Sequence, residues 1–156
     1  MQTQKPDNRY RIAQIMMSIG VLEFIGPIIR DTSETHLFNP SWVGHARFHL
    51  AWALVFMGLS GVVNIYLIWF RKPYKMESLY ISLAWQSCNI FGFWGAVVLE
   101  KWYKGSMIDP TFHHSILGIN ENMFVFIVFT IVLAVNLAYL LFVLGPFMKK
   151  EAQLNE

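Results

Sequence analysis

The histidines of this chain are concentrated in two segments, and two of them have a spacing that suits metal binding. His45 and His49 lie four residues apart, which places both imidazoles on one face of a helix about one turn apart. Two imidazoles on adjacent turns can ligate one metal ion. The predicted metal set adds the two adjacent histidines of a later segment and consists of His45, His49, His113 and His114.

Carboxylates near the first histidine segment are candidate further ligands, namely Glu23, Asp31 and Glu34. Imidazole combined with carboxylate suits zinc, iron, copper or manganese, and the sequence does not choose among these transition metals. The cofactor is therefore left unknown. Two alternatives stay open: the histidines form a metal-free acid–base cluster, or they are ordinary interfacial residues that hydrogen-bond lipid headgroups.

Glu23 has the most unusual setting of the acidic residues because it interrupts an apolar run. An ionisable group inside a bilayer costs about 2.5–3.5 kcal/mol on insertion scales and marks a functional candidate. Gly20, Glu23, Pro27 and Asp31 are spaced to share one helix face. We therefore expect Glu23 to face the protein interior, within reach of the polar residues near the end of its helix. A structural hydrogen bond to a neighbouring helix is the alternative.

Composition predicts the elements that position these residues. Hydrophobic residues make up 55% of the chain and charged residues 14%, whereas a soluble domain carries about 25% charged residues. A bilayer core about 30 Å thick requires about 20 apolar residues per helix. Four stretches meet this requirement. They predict one domain, residues 1–156, with an all-α fold: an integral membrane bundle of four transmembrane helices over residues 12–29, 50–70, 78–99 and 123–148.

Basic residues are unevenly distributed among the connections between these spans. The N-terminus, the second loop and the C-terminus hold eight of the 12 Lys and Arg residues, and cytoplasmic segments are enriched in both types. Both termini are therefore predicted to be cytoplasmic, with all five histidines on the outer side of the membrane. The net charge of +2 is too small for a nucleic-acid-binding surface. The single cysteine excludes an internal disulfide.

Polar residues recur inside the second, third and fourth spans. Hydrogen bonds between helices explain most such residues in membrane bundles, and the lining of a cavity is the alternative. On the second span the polar residues fall within an arc of about 100° that begins at the histidine pair, which favours a cavity. The residues concerned are Ser60, Asn64, Ser82, Gln86, Asn89, Thr130 and Asn136.

The segment ETHLFNPSWVGHARFH, residues 34–49, resembles a motif of an uncharacterised family of small four-helix membrane proteins in bacteria and fungi. That family is similar in size and layout to DoxX-like proteins. The resemblance covers about sixteen residues and implies the four-helix layout, but no activity. It marks as motif residues His36, Asn39, Pro40, Trp42, His45, Arg47 and His49.

Two functions are compatible with these patterns. The leading hypothesis is a membrane enzyme that acts on a lipophilic small molecule at the outer face, with imidazole and carboxylate groups as acid–base partners and Arg47 holding an anionic group. Its predicted catalytic residues are Glu23, His36, Arg47 and His49. The alternative is a non-catalytic membrane protein, either a small transporter or an accessory subunit of a larger complex. The expected partners are the lipid bilayer and this small molecule. Assembly into a homo-oligomer or a larger membrane complex is also left open.

The predicted orientation can be tested by cysteine accessibility. Ser41→Cys and Ser106→Cys lie in the two loops assigned to the outer side, so both should react with a membrane-impermeant thiol reagent added from outside. Reaction of either residue only from the cytoplasmic side would overturn this orientation.

Overall fold

The computed structural model describes residues 7–109 and 114–154. Within them the chain is an all-α bundle, which confirms the predicted fold class. The helices are α1 (Asn8–Asp31), α2 (Gly44–Ile65), α3 (Met76–Tyr103), α4 (Glu121–Tyr139) and α5 (Gly145–Leu154). A two-residue antiparallel hairpin, β1 (Ser115–Ile116) and β2 (Ile119–Asn120), precedes α4.

Helices α1 and α4 begin before their apolar runs, and a polar side chain caps the start of each. The Asp7 side chain accepts a hydrogen bond from Arg9 N at 2.8 Å and starts α1. Asn120 Oδ1 accepts from Asn122 N at 2.9 Å and Met123 N at 3.4 Å and starts α4. Both caps satisfy amide donors that have no partner inside the helix.

Four continuous helices in the described part of the chain are long and apolar enough to cross a membrane, by length and composition. They are Asn8–Asp31, Gly44–Phe70, Met76–Tyr103 and Glu121–Leu154. The second and fourth of these contain a π-helical turn, at Tyr66–Phe70 and Leu140–Leu144. The chain therefore has the architecture of an integral membrane protein.

The sequence predicts that Gly145 and Pro146 kink or stop the last span, but the chain continues through the second π turn into α5. A Cβ atom at Gly145 would lie 2.9 Å from the Leu140 carbonyl oxygen, closer than side chains normally approach. Glycine therefore lets the helix pass from the wider π turn back to α-helical geometry.

Helix α1 packs against α2, α3 and α4, and most of the buried side chains lie in one half of the bundle. We call this the terminal half, because it adjoins the start of α1 and the end of α4. Its core is formed by apolar side chains from all four spans: Tyr10, Ala13, Met17, Ile68, Leu79, Leu83, Leu133, Leu140 and Leu144. The opposite half adjoins the ends of α1 at Asp31 and of α3 at Tyr103, and we call it the loop half.

Hydrogen bonds between helices reinforce the terminal half. Gln14 Nε2 donates to the carbonyl oxygen of Ile68, in the first π turn, at 2.6 Å. Trp69 Nε1 donates to Ser18 Oγ at 2.8 Å. These bonds fix α1 to the end of the second span, and they supply partners that the bilayer cannot offer.

A second group of bonds joins α3 to its neighbours. Ser82 Oγ donates to Asn64 Oδ1 at 2.6 Å, and Gln86 Nε2 donates to the Met17 carbonyl oxygen at 3.4 Å. On α4, Asn136 is buried and also bonds to α1. These polar residues of the spans therefore form hydrogen bonds between helices, which the sequence predicts as the usual role of such residues in membrane bundles.

Gly20 permits the close approach of α1 and α3. A Cβ atom at this position would overlap the Gln86 side-chain oxygen, and Gln86 is itself buried and hydrogen-bonded to Met17. Gly26, on the same helix, is exposed and has no atom within 4 Å of the corresponding position.

We expect Gly20→Ala to destabilise the protein by about 1–3 kcal/mol, the usual cost of overpacking a core. Gly26→Ala is the matched control, and we expect no loss of stability there, since alanine favours helix by about 1 kcal/mol. Thermal unfolding in detergent measures both variants. Equal unfolding midpoints for the two would contradict the close α1–α3 contact.

Candidate ligand-binding cavity

The loop half of the bundle encloses a cavity of about 1300 Å³ between the four spans. Small-molecule sites usually measure about 300–1000 Å³, so the space is large enough for a ligand of considerable size. On α1 and α4 the lining covers residues 23–31 and 121–129, about 12 Å of each helix at about 1.5 Å per residue. On α3 the lining extends further, from Glu100 back to Ile81.

The cavity is closed by α1 and open between α2 and α3. On α1, Glu23 and Phe24 line it and are buried. On the opposite side Phe56 of α2 and Trp85 of α3 line it, yet are 55% and 38% exposed. Their rings stack with centroids 6.4 Å apart. Because α2 and α3 contact each other sparsely, this aromatic pair bridges a gap in the side of the bundle.

Small residues widen the cavity along α3. Ala84, Cys88, Gly92 and Ala96 recur every four residues and all line it, as residues on one helix face must. Large side chains at these positions would fill the space between α3 and α1. Cys88, the sole cysteine of the chain, is exposed on this face.

Glu23 is buried in the cavity wall with 1% of its surface exposed. Neither of its carboxyl oxygens has a hydrogen-bond partner among the described residues. Asn89 of α3 is close enough to interact with this carboxyl group, but its Nδ2 atom likewise lacks a partner in hydrogen-bond geometry. Burying a polar group without a hydrogen bond is costly, so Glu23 is not explained as a link between helices.

Ionisable residues surround the loop-half end of the cavity, which we call its mouth. Arg30 Nη2 of α1 lies 2.9 Å from Glu121 Oε1 of α4, and His36 Nε2 lies 3.9 Å from Asp31 Oδ1. All four side chains line the cavity, together with Glu100. The mouth is therefore polar, whereas the deeper walls are mainly apolar and aromatic.

The first connection is folded by its own hydrogen bonds. Asn39 Nδ2 donates to the Thr35 carbonyl oxygen at 3.0 Å, and Asn39 Oδ1 accepts from Ser41 N at 2.9 Å. His36 Nδ1 lies 2.8 Å from Thr35 Oγ1. Asn39 therefore shapes a turn that begins the motif segment, while His36 is held at the cavity mouth.

The structure separates the residues that the sequence groups into one catalytic site. Glu23 and His36 line the cavity, but Arg47 and His49 are not among its lining residues. Arg47 is half-buried, and His49 is exposed on α2. Glu23 is also about 12 Å below Asp31 along α1, at about 1.5 Å per residue, and forms no hydrogen bond to any described histidine.

The polar stripe expected along α2 is likewise interrupted. Ser60 and Asn64 are buried, whereas His45 and His49 are exposed. An arc of about 100° is wide enough for one edge to face the core and the other to face outward. The stripe therefore does not lead from the histidine pair into the cavity, although Ala53, Phe56 and Met57 of α2 contribute to the cavity lining.

The His45 and His49 rings approach as the helical spacing predicts, with their Nε2 atoms 3.0 Å apart. Over residues 7–109 and 114–154, no group of three or more His, Cys, Asp or Glu side chains is arranged to hold a metal ion. His114 is exposed, and His113 lies outside the described residues. The metal site therefore stays a prediction, and of its residues the structure brings together only His45 and His49 among those it describes.

Several cavity residues were not singled out from the sequence. In the sequence Trp85 and Cys88 are ordinary parts of an apolar span. The pairing of Arg30 with Glu121, 91 residues apart in the chain, was also not predicted. One signal was present, because Ala84, Cys88, Gly92 and Ala96 form a four-residue repeat of small side chains. Asn89 was identified only as one of several polar residues in the third span.

Fold and cavity together define the class, an integral membrane four-helix bundle with an elongated cavity in one half. Comparison with protein families, with curated proteins and with solved structures gives no match to this chain. The geometry of the cavity is therefore the basis on which a function can be assigned to this chain.

The Arg30–Glu121 pair should couple α1 to α4 at the mouth. We expect a double-mutant cycle with Arg30→Gln and Glu121→Gln to give a coupling free energy of about 1 kcal/mol, since the pair is partly exposed. Arg11 lies near the opposite end of α1. In a second cycle, the effects of Glu121→Gln and Arg11→Gln on the free energy of unfolding should therefore be additive. Thermal unfolding measures both, and additivity in the first cycle would refute the pairing.

Proposed function

We propose that the protein binds a lipophilic small molecule in the loop-half cavity and acts on it as a membrane enzyme, with Glu23 as the acid–base group. One observation carries this proposal: the buried carboxyl group of Glu23 faces a large cavity and has no partner in the described structure. An unsatisfied buried ionisable group is a cost that function explains better than packing does.

The surroundings of Glu23 support a role in acid–base chemistry. Its neighbours in the cavity are apolar or aromatic, such as Phe24, Met57 and Phe129, and such walls exclude water and strengthen electrostatic interactions. Asn89 is positioned to hold a ligand atom beside the carboxyl group. His36 with Asp31 would then contact the polar end of the ligand at the mouth.

The non-catalytic alternative has one observation in its favour. No second acid–base side chain among the described residues is hydrogen-bonded to Glu23, so binding without reaction is compatible with the site. A path through the protein is disfavoured, because the packed core of the terminal half closes that end of the cavity. A carrier or an accessory subunit that binds a lipophile is therefore the stronger form of this alternative.

The effect of a substitution on thermal stability should show whether the Glu23 carboxyl group has a functional or a structural role. We expect Glu23→Leu to leave the unfolding midpoint unchanged or to raise it, because no hydrogen bond is lost and an unsatisfied polar group is removed. Asn64→Leu is the contrasting variant: it breaks the 2.6 Å bond with Ser82 and should cost about 1–3 kcal/mol. Clear destabilisation by Glu23→Leu would show that Glu23 is a link between helices.

Activity is tested on the purified protein in vesicles that contain a total membrane lipid extract of the expression host. Mass spectrometry should detect a compound consumed by the wild-type protein and not by Glu23→Gln, which keeps the shape of the side chain but cannot ionise. Glu77→Gln, at an exposed residue in the first turn of α3, is the matched control and should retain conversion. Equal conversion by Glu23→Gln would refute the catalytic role. Binding without conversion by the wild-type protein would favour the carrier or accessory subunit.

The contribution of a metal is tested separately from that of Glu23. Metal quantification on the purified protein, with His45→Ala and His49→Ala, decides whether the 3.0 Å histidine pair holds a transition metal. A stoichiometric metal lost in both variants would establish that site. Since the pair lies outside the cavity lining, we propose that chemistry at Glu23 proceeds without it.

A further inference from the structure

We propose that the molecule held in the cavity is a single-chain amphiphile with a cationic amine, taken up from the bilayer through the gap between α2 and α3. This inference rests on the proposed function and specifies its substrate class. Three features lead to it: the balance of charge around the cavity, the unpartnered Glu23 carboxyl group, and the side opening lined by Phe56 and Trp85.

The cavity lining carries more acidic than basic groups. Among the described residues, Arg30 is paired with Glu121, and His36 is the group facing Asp31. Glu100 and Glu23 also line the cavity, and neither forms an ion pair within residues 7–109 and 114–154. Glu100 Oε1 accepts a hydrogen bond from Met107 N at 3.1 Å, which is a neutral donor. An anionic headgroup would meet repulsion here, whereas an amine would be attracted.

Glu23 indicates where in the cavity the positive charge of the ligand would lie. It is buried in the wall, and among the described residues no donor reaches either of its oxygens and no acceptor reaches the nearby Asn89 Nδ2. A ligand ammonium group supplies up to three donors and forms a charge-assisted hydrogen bond, which is stronger than one between neutral groups. A buried carboxylate is tolerated when it is paired in this way.

The shape of the cavity specifies the rest of the ligand. The apolar walls extend about 12 Å along α1 and α4 and continue along α3 as far as Ile81, a shape that suits one extended hydrocarbon chain. The gap between α2 and α3 exposes Phe56, Trp85 and Cys88 on the surface that a spanning helix presents to lipid. An amphiphile dissolved in the bilayer can therefore reach the cavity without crossing an aqueous phase.

Cys88 provides a reporter for occupancy because it is the sole thiol, is exposed, and lines the cavity beside Asn89. A ligand chain lying in the cavity would cover this thiol and slow its alkylation. The rate of reaction with N-ethylmaleimide, followed by intact-protein mass spectrometry, therefore measures binding whatever reaction the protein catalyses.

The test uses three compounds of equal chain length, hexadecylamine, hexadecanol and hexadecanoic acid, with the full chain in phosphatidylcholine vesicles. We expect hexadecylamine to protect Cys88 at an about tenfold lower concentration than hexadecanol, as for a hydrogen bond to a charged group, and the acid to protect least. In Glu23→Gln the advantage of the amine over the alcohol should disappear. Glu77→Gln, the exposed control at the start of α3, should retain it.

Each other outcome overturns a defined part of the inference. Equal protection by all three compounds, or best protection by the acid, refutes the amine and leaves the proposed lipophile cavity intact. Protection by none of them refutes the proposed function as well. A thiol that becomes reactive only on dilution in detergent would show that a second copy covers the gap. The comparison of the three compounds on the wild-type chain remains valid even where a variant fails to fold.

Discussion

The polar groups of a membrane-spanning chain must find partners within the protein, since lipid supplies none, and this constraint accounts for the arrangement of the bundle. In the terminal half, Gln14 bonds to Ile68, and Asn64 bonds to Ser82. Each bond ties two helices together and fixes their separation. Apolar side chains then fill the space between these links and close that half.

Helix α1 has a central place in this arrangement although polar residues interrupt its apolar run. It contacts the three other spans and has the largest buried share of the four spans. Its polar side chains face neighbouring helices instead of lipid, and Gly20 lets Gln86 of α3 approach its backbone. A helix surrounded by protein can carry residues that a lipid-facing helix cannot.

The loop half of the bundle is packed less closely than the terminal half. There the helices are separated by small residues on α3 and by sparse contact between α2 and α3. Neither carboxyl oxygen of Glu23 has a hydrogen-bond partner among the described residues, whereas the Gln14 and Asn64 side chains of the terminal half each form at least one hydrogen bond. Stable packing in one half therefore supports an open, energetically unfavourable arrangement in the other. Such a division is expected where a binding site costs stability that the rest of the fold supplies.

The sequence determined the all-α class and the four spans, because length and hydropathy alone decide whether a helix can cross a bilayer. It also singled out Glu23, since an acidic residue in an apolar run is costly wherever the neighbouring helices lie. The geometry of the His45–His49 pair followed from the helical repeat in the same way.

Only the tertiary structure decided which of these residues belong to one site. Helical spacing relates residues of one helix, but it does not give the rotation of that helix against its neighbours. Consequently His49 faces outward, while Trp85 and Cys88, from an otherwise ordinary apolar span, share a cavity with Glu23. The Arg30–Glu121 pair depends on the approach of two distant helix ends. Such contacts are set by the packing of the whole bundle and leave no local pattern in the chain.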